Sequence, residues 1–203
     1  MSKILISLMT IALVGALVGG GIYAYFSDTE TSTGNTFIAG TLDLNLDGGN
    51  TNVVKFNVSN VSPGGSGGGT WAVTNVGTLG GYLDLETVGF TESIGTTTDP
   101  ELVNEPTGLD TAQLGSCLMA HMFIDANNDG DWDAGETDIF GTNAAPVAIN
   151  TIAGNYSLDL ALAASGTNYI TLRWAVPVTT DNRIQGDSVI LGMTFELQQR
   201  AAD

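Results

Sequence analysis

The sequence predicts an all-β chain, an antiparallel jelly-roll-like β-sandwich, on three observations. Eight stretches alternate apolar and polar side chains with the period of two that marks a half-buried strand. The connections between them are rich in Gly, Asn and Thr, with 27 glycines in 203 residues, a composition that suits turns and strands over helices. Beyond the N-terminus no segment shows sustained helical periodicity. With 43% apolar residues the chain can bury a core, and its length fits one domain of ordinary size.

The N-terminus stands apart. Lys3 and the terminal amine are followed by an apolar run from Ile4 to Ile22, and Ala24 offers a small residue before the chain turns polar at Ser27-Asp28. A positive start, an apolar stretch and a small terminal residue describe an export signal, cut between Ala24 and Tyr25. The competing reading is a retained membrane helix. Gly15, Gly19, Gly20 and Gly21 weaken that helix, and no basic cluster follows it. The expected organisation is a signal over residues 1–24, an N-terminal segment over 25–40 and a sandwich domain over 41–203. A membrane is met only through the uncut signal, and the mature protein is expected outside the cell.

The strands follow in order. Thr41–Leu46 puts Leu42, Leu44 and Leu46 on one face. Val53–Val58 does the same with Val54, Phe56 and Val58. Ser62–Gly69, with five glycines, reads as a flexible connection. It has neither a basic residue nor a following helix, so it is not a phosphate cradle. Gly69–Asn75 places Trp71 and Val73 together, and Tyr82–Val88 places Leu83 and Leu85. Thr91–Gln113, polar and holding Pro100 and Pro106, reads as a long loop. Leu118–Ile124 aligns Leu118, Ala120, Met122 and Ile124. Tyr156–Leu162, Tyr169–Val176 and Ser188–Leu197 complete the set, the last aligning Val189, Leu191, Met193, Phe195 and Leu197.

Charge removes several functions. Twenty-two acidic residues against five basic ones give a net charge of −17. Phosphate backbones and anionic lipid surfaces need the Lys and Arg this chain lacks, so no nucleic-acid partner is expected. One Cys excludes an intrachain disulfide framework and any Cys-rich zinc site, and one His excludes most catalytic constellations built around paired imidazoles.

One constellation carries chemistry: Asp125-Ala126-Asn127-Asn128-Asp129-Gly130-Asp131-Trp132-Asp133-Ala134-Gly135-Glu136. It has the spacing of a twelve-residue calcium loop, with Asp125, Asn127 and Asp129 at positions 1, 3 and 5 and Gly130 at position 6. Asp131 stands at position 7, Asp133 at 9 and Glu136 at 12. Alternate residues of a tight loop point inward, Gly permits the bend, and the last Glu closes the shell. Five carboxylates so close repel one another without a cation, and oxygen donors suit calcium over zinc. A strand, not a helix, precedes the loop, so the expectation is a strand-flanked calcium site acting as a structural clamp. The alternative is a solvated acidic turn. His121 reads as a surface or core histidine with a local hydrogen bond, and Cys117 as a small buried side chain. No G-x-S-x-G, H-E-x-x-H, Walker or Rossmann pattern is present.

Two stretches resemble the TasA/camelysin family of secreted proteins with SipW-type signals, which includes archaeal pilus subunits. The first runs from Gly19-Gly20-Gly21-Ile22-Tyr23-Ala24-Tyr25-Phe26-Ser27-Asp28 to Phe37-Ile38-Ala39-Gly40-Thr41-Leu42-Asp43-Leu44. The second is Asn182-Arg183-Ile184-Gln185-Gly186-Asp187-Ser188 with the alternating strand after it. Between them, Pro63-Gly64 and Thr74-Asn75-Val76-Gly77-Thr78 are similar to the family's P-G and N-x-G-T pieces. The resemblance implies a jelly roll that polymerises with copies of itself into extracellular biofilm or pilus fibres. In such fibres the mature N-terminal segment, here Phe26, Ser27, Asp28, Thr29, Glu30, Thr31, Ser32 and Thr33, completes a neighbour's sheet. The calcium loop is not a general mark of the family. Two other readings stand beside this one: a monomeric calcium-binding surface domain, and a camelysin-like metalloprotease, for which one His gives little support.

Overall fold

Among the described residues, side-chain alternation becomes ten strands in two antiparallel sheets. A computed structural model of the chain describes residues 2–25, 40–49, 55–95 and 111–199. Residues 1–39 form one compact unit and residues 40–203 another. In the first unit α1 (Ser2–Tyr25) is a single helix. It continues through Gly15 and Gly19–Gly21, because the Leu, Ile, Val and Ala around them are good enough helix formers to offset glycine's low propensity. Both residues flanking the expected cut, Ala24 and Tyr25, lie in its last turn. The segment Phe26–Thr33 lies outside the described residues.

In the second unit, β1 (Leu44–Leu46), β3 (Ser66–Asn75), β9 (Thr167–Ala175), β5 (Met119–Ile124) and β6 (Thr137–Phe140) form one sheet in that order, with β7 (Val147–Ala148) also on β5. The second sheet runs β2 (Asn57–Ser59), β10 (Ser188–Gln198), β4 (Gly81–Ser93), β8 (Gly154–Leu162). A short helix, α2 (Leu114–Cys117), precedes β5. The inward residues named by alternation make the core: Val58, Trp71, Val73, Leu83, Leu85, Met122, Leu172 and Val189 are all buried between the sheets.

Three expectations need correction. The strand expected over Val53–Val58 is shorter, since Lys55 and Phe56 precede β2 and Val53 and Val54 lie outside the described residues. Ser66–Gly69 is not a flexible connection but the first part of β3, paired residue by residue with β9. Its glycines are there for close approach. A Cβ on Gly67 would meet the Trp174 ring at 2.8 Å, and one on Gly68 would meet the Leu172 carbonyl at 2.7 Å. Thr91–Ser93 belongs to β4, not to the long loop, because it pairs with β10 from Ser188 to Ile190.

The motif pieces also acquire physical roles. Asn75 is fully buried; its Nδ2 donates to the Leu79 carbonyl at 2.7 Å and its Oδ1 accepts from Gly77 N–H at 3.0 Å. A Cβ at Gly77 would lie 2.3 Å from the Thr41 carbonyl oxygen, so only glycine lets residues 41–43 pass. Asp187, also fully buried, accepts the N–H groups of Gln113 and Leu114 at 2.8 and 3.1 Å and so fixes where α2 begins.

Candidate functional site

Strand β5 ends at Ile124 and β6 begins at Thr137, and these two residues are register partners. The twelve residues Asp125–Glu136 are therefore a loop whose ends are already neighbours. Five of the six expected oxygen donors turn back on the loop. Asp125 is 1% exposed. Its Oδ2 accepts Gly130 N–H at 3.0 Å and the Thr171 hydroxyl at 2.8 Å, and its Oδ1 accepts Asp129 N–H at 3.3 Å. Asn127 Oδ1 accepts Asp129 N–H at 3.4 Å, and Asp129 Oδ1 accepts Asp131 N–H at 2.8 Å. These are successive Asx turns, made possible by the left-handed backbone at Asn128 (φ 57°) and Gly130 (φ 79°). Glu136 reaches across the loop: Oε1 accepts Ala126 N–H at 2.8 Å and Oε2 accepts Asp133 N–H at 2.9 Å.

The Asn127 amide lies between two carboxylates, with Nδ2 donating to Oδ2 of Asp129 and of Asp133, each at 2.9 Å. The positive end of an amide dipole thus stands where the like charges meet. Among the described residues, no three His, Cys, Asp or Glu side chains converge as a metal cluster. Asp131 alone turns outward, onto Arg173 Nη1 of β9.

The loop lies over the outer face of the larger sheet. His121 and Phe123 are on the face of β5 opposite the core residues Ala120 and Met122, yet they are 4% and 0% exposed. Phe123 is not part of the core between the sheets. Above them, Trp132 of the loop stands 6.4 Å from the His121 ring, and His121 stands 5.0 Å from Phe123. His121 Nε2 is 2.6 Å from Asp138 Oδ1. Loop and sheet therefore enclose a second, small apolar layer. Beside it runs a groove of about 540 Å³ whose lining includes Gly67, Gly68, His121, Gly130, Thr171 and Arg173.

Sequence reasoning missed the residues that tie the loop down. Thr171 and Arg173 lie 46 and 42 positions beyond their loop partners, Asp125 and Asp131, and no spacing rule reaches so far. Asp138 was within reach: antiparallel return of the chain after a closed loop puts it opposite Phe123. Cys117 is half-buried and free.

A family model described as camelysin metallo-endopeptidase matches residues 1–203. No curated protein matches the chain.

Proposed function

We propose that this chain, which belongs to the TasA/camelysin family, is an exported structural subunit that polymerises with its own kind into an extracellular filament and holds a calcium ion in the loop Asp125–Glu136. One observation carries the filament reading. Strand β10 pairs with β4 along its whole length, Ser188–Gln198. On its other edge, among the described residues, only Ser188–Ile190 is paired, with β2. Beyond Ile190 no described residue is registered on that edge, and its N–H and C=O groups would be of the kind an added strand can engage. The inward side chains there, Met193, Phe195 and Leu197, are only half-buried, unlike Val189 at 0% exposure. Across the sandwich Leu44 and Leu46 are half-buried too. A strand supplied by a sibling chain would cover both the backbone edge and these apolar side chains.

Phe26, Ser27, Asp28, Thr29, Glu30, Thr31, Ser32 and Thr33 are the strand this reading assigns. They contain no proline, so every residue has an N–H for the ladder. Export by way of residues 1–24 would free them, which couples assembly to secretion. The test is electron microscopy of extracellular material from the whole chain and from a form lacking residues 26–33. The shortened form should be secreted and folded but remain monomeric. Filaments from it would refute the mechanism.

The loop fits calcium in backbone and spacing. Its ends are held together, its glycine bend is in place, and Oδ2 of Asp129 and of Asp133 face each other across the Asn127 amide nitrogen. Turning the Asn127 amide over would present Oδ1 in place of Nδ2 between Asp129 and Asp133. Asp131 keeps its side chain on Arg173 and has its backbone carbonyl, the atom position 7 supplies in such loops, for the ion.

The peptidase in the family description requires a catalytic metal with about three protein ligands and an open position. The chain's one histidine is buried beneath the loop, and its Nε2 is engaged by Asp138. These residues do not fit such a centre, and this supports a non-enzymatic role. A casein-cleavage assay of the purified protein, with and without chelator, checks it. Chelator-sensitive cleavage would overturn it.

A further inference from the structure

We infer that Thr171 is a positioning residue that presents Asp125 to the ion, an inference resting on the calcium reading of the loop. Asp125 is the most buried of the candidate ligands, and its two oxygens are treated unequally. Oδ2 takes two short hydrogen bonds, from Gly130 N–H at 3.0 Å and from the Thr171 hydroxyl at 2.8 Å. Oδ1 has one long contact, 3.3 Å to Asp129 N–H, and keeps lone-pair capacity for a cation. A carboxylate accepts only, so Thr171 must donate to it. The Thr171 oxygen lies 2.7 Å from the Thr70 hydroxyl, which is then the donor to Thr171. The result is a directed relay, Thr70 to Thr171 to Asp125, running from β3 through β9 into the first residue of the loop. Thr171 is itself 1% exposed, so its hydroxyl is shielded from bulk solvent.

The relay does for Asp125 what outer hydrogen-bond partners do for metal ligands generally: it fixes rotation and leaves the second oxygen aimed at the ion. The loop alone supplies Gly130 N–H, which a rotating carboxylate could meet with either oxygen. The hydroxyl from the sheet removes that freedom. Neither Thr70 nor Thr171 touches the ion in this arrangement, so the effect is on affinity through Asp125.

The experiment is calorimetric titration of calcium chloride into the processed full-length protein, stripped of metal beforehand. Thr171→Val, which keeps the shape and loses the hydroxyl, should raise the calcium Kd about 10- to 100-fold. Thr171→Ser, which keeps the hydroxyl, should restore the Kd of the unsubstituted chain. A role in packing alone would lower the melting temperature in chelator but leave the Kd where it was. Thr70→Val should weaken binding in the same direction by a smaller factor, and it supplies the readout if Thr171→Val does not fold. Calcium uptake with an unchanged Kd in the Val variants overturns the relay alone. No uptake by the unsubstituted protein overturns the calcium reading and the relay together.

Discussion

Replacing Phe123 by alanine tests whether the acidic loop is a true cover of the sheet. Phe123 is fully buried but lies outside the core between the sheets; among the described residues, His121 stacks on it and Trp132 of the loop stands over His121. Full burial of a phenylalanine removes about 150–250 Å² from water, worth roughly 4–6 kcal/mol at about 25 cal/mol per Å². Truncation to alanine typically costs about 3–5 kcal/mol, cavity included. For a chain of this size each kcal/mol moves the midpoint by about 2–4 °C, so a fall on the order of 10 °C is expected in differential scanning calorimetry. Val178→Ala is the control: Val178 is 81% exposed, and its loss should change stability by less than about 0.5 kcal/mol. If Phe123→Ala proves as mild as the control, the loop does not seal the outer face, and the second apolar layer is not a stabilising element.

Calcium should raise the melting temperature of the unsubstituted protein, and Asp129→Ala should abolish that rise; identical melts in calcium and in chelator would remove the site. Burial raises the pKa of Tyr156 above the ordinary tyrosine value, and its hydroxyl donates to the Ile152 carbonyl at 2.8 Å. The folded protein therefore holds this proton more tightly than the unfolded chain. The associated stability is intact below about pH 10 and is lost as pH rises through the folded value. Tyr156→Phe should cost about 1 kcal/mol at neutral pH and lessen the alkaline fall, both readable from denaturant titrations at pH 7 and above pH 10. An unchanged alkaline slope would assign the fall to other groups.

The long alternating strands were legible because their periodicity is fixed by burial on one side only. Leu158 and Leu160 of β8, Ile170 and Leu172 of β9 and Val189 and Leu191 of β10 all face inward as the pattern requires. Strands β6 and β7 were not legible. Thr137–Phe140 has two apolar residues in four, and Val147–Ala148 is too short to show a period; both are strands only because β5 is beside them. Ser66–Gly69 misled for a different reason. Glycine lowers strand propensity, and its advantage here lies in contacts with Trp174 and Leu172 that are far away in sequence. The twelve-residue loop could be read from its spacing, since its donors are local. Its anchors on β9 could not, because they depend on which strand lies beneath it. The burial of His121 and Phe123 was hidden in the same way: alternation names the core face of β5 but is silent about what crosses the other one.

The three cationic side chains described in residues 40–199 each sit against an aspartate: Lys55 on Asp47, Arg173 on Asp131 and Arg183 on Asp181. Positive charge in this part of the molecule is thus engaged within the fold, and the 22 acidic residues of the chain outnumber its five basic ones. Two copies brought flank to flank would meet as like-charged bodies, with counterions in the intervening solvent left to moderate the repulsion. At 0.15 M ionic strength that repulsion fades within about 8 Å, and in dilute buffer it reaches several times farther. The saltiness of the surroundings would then govern how closely such molecules gather side by side.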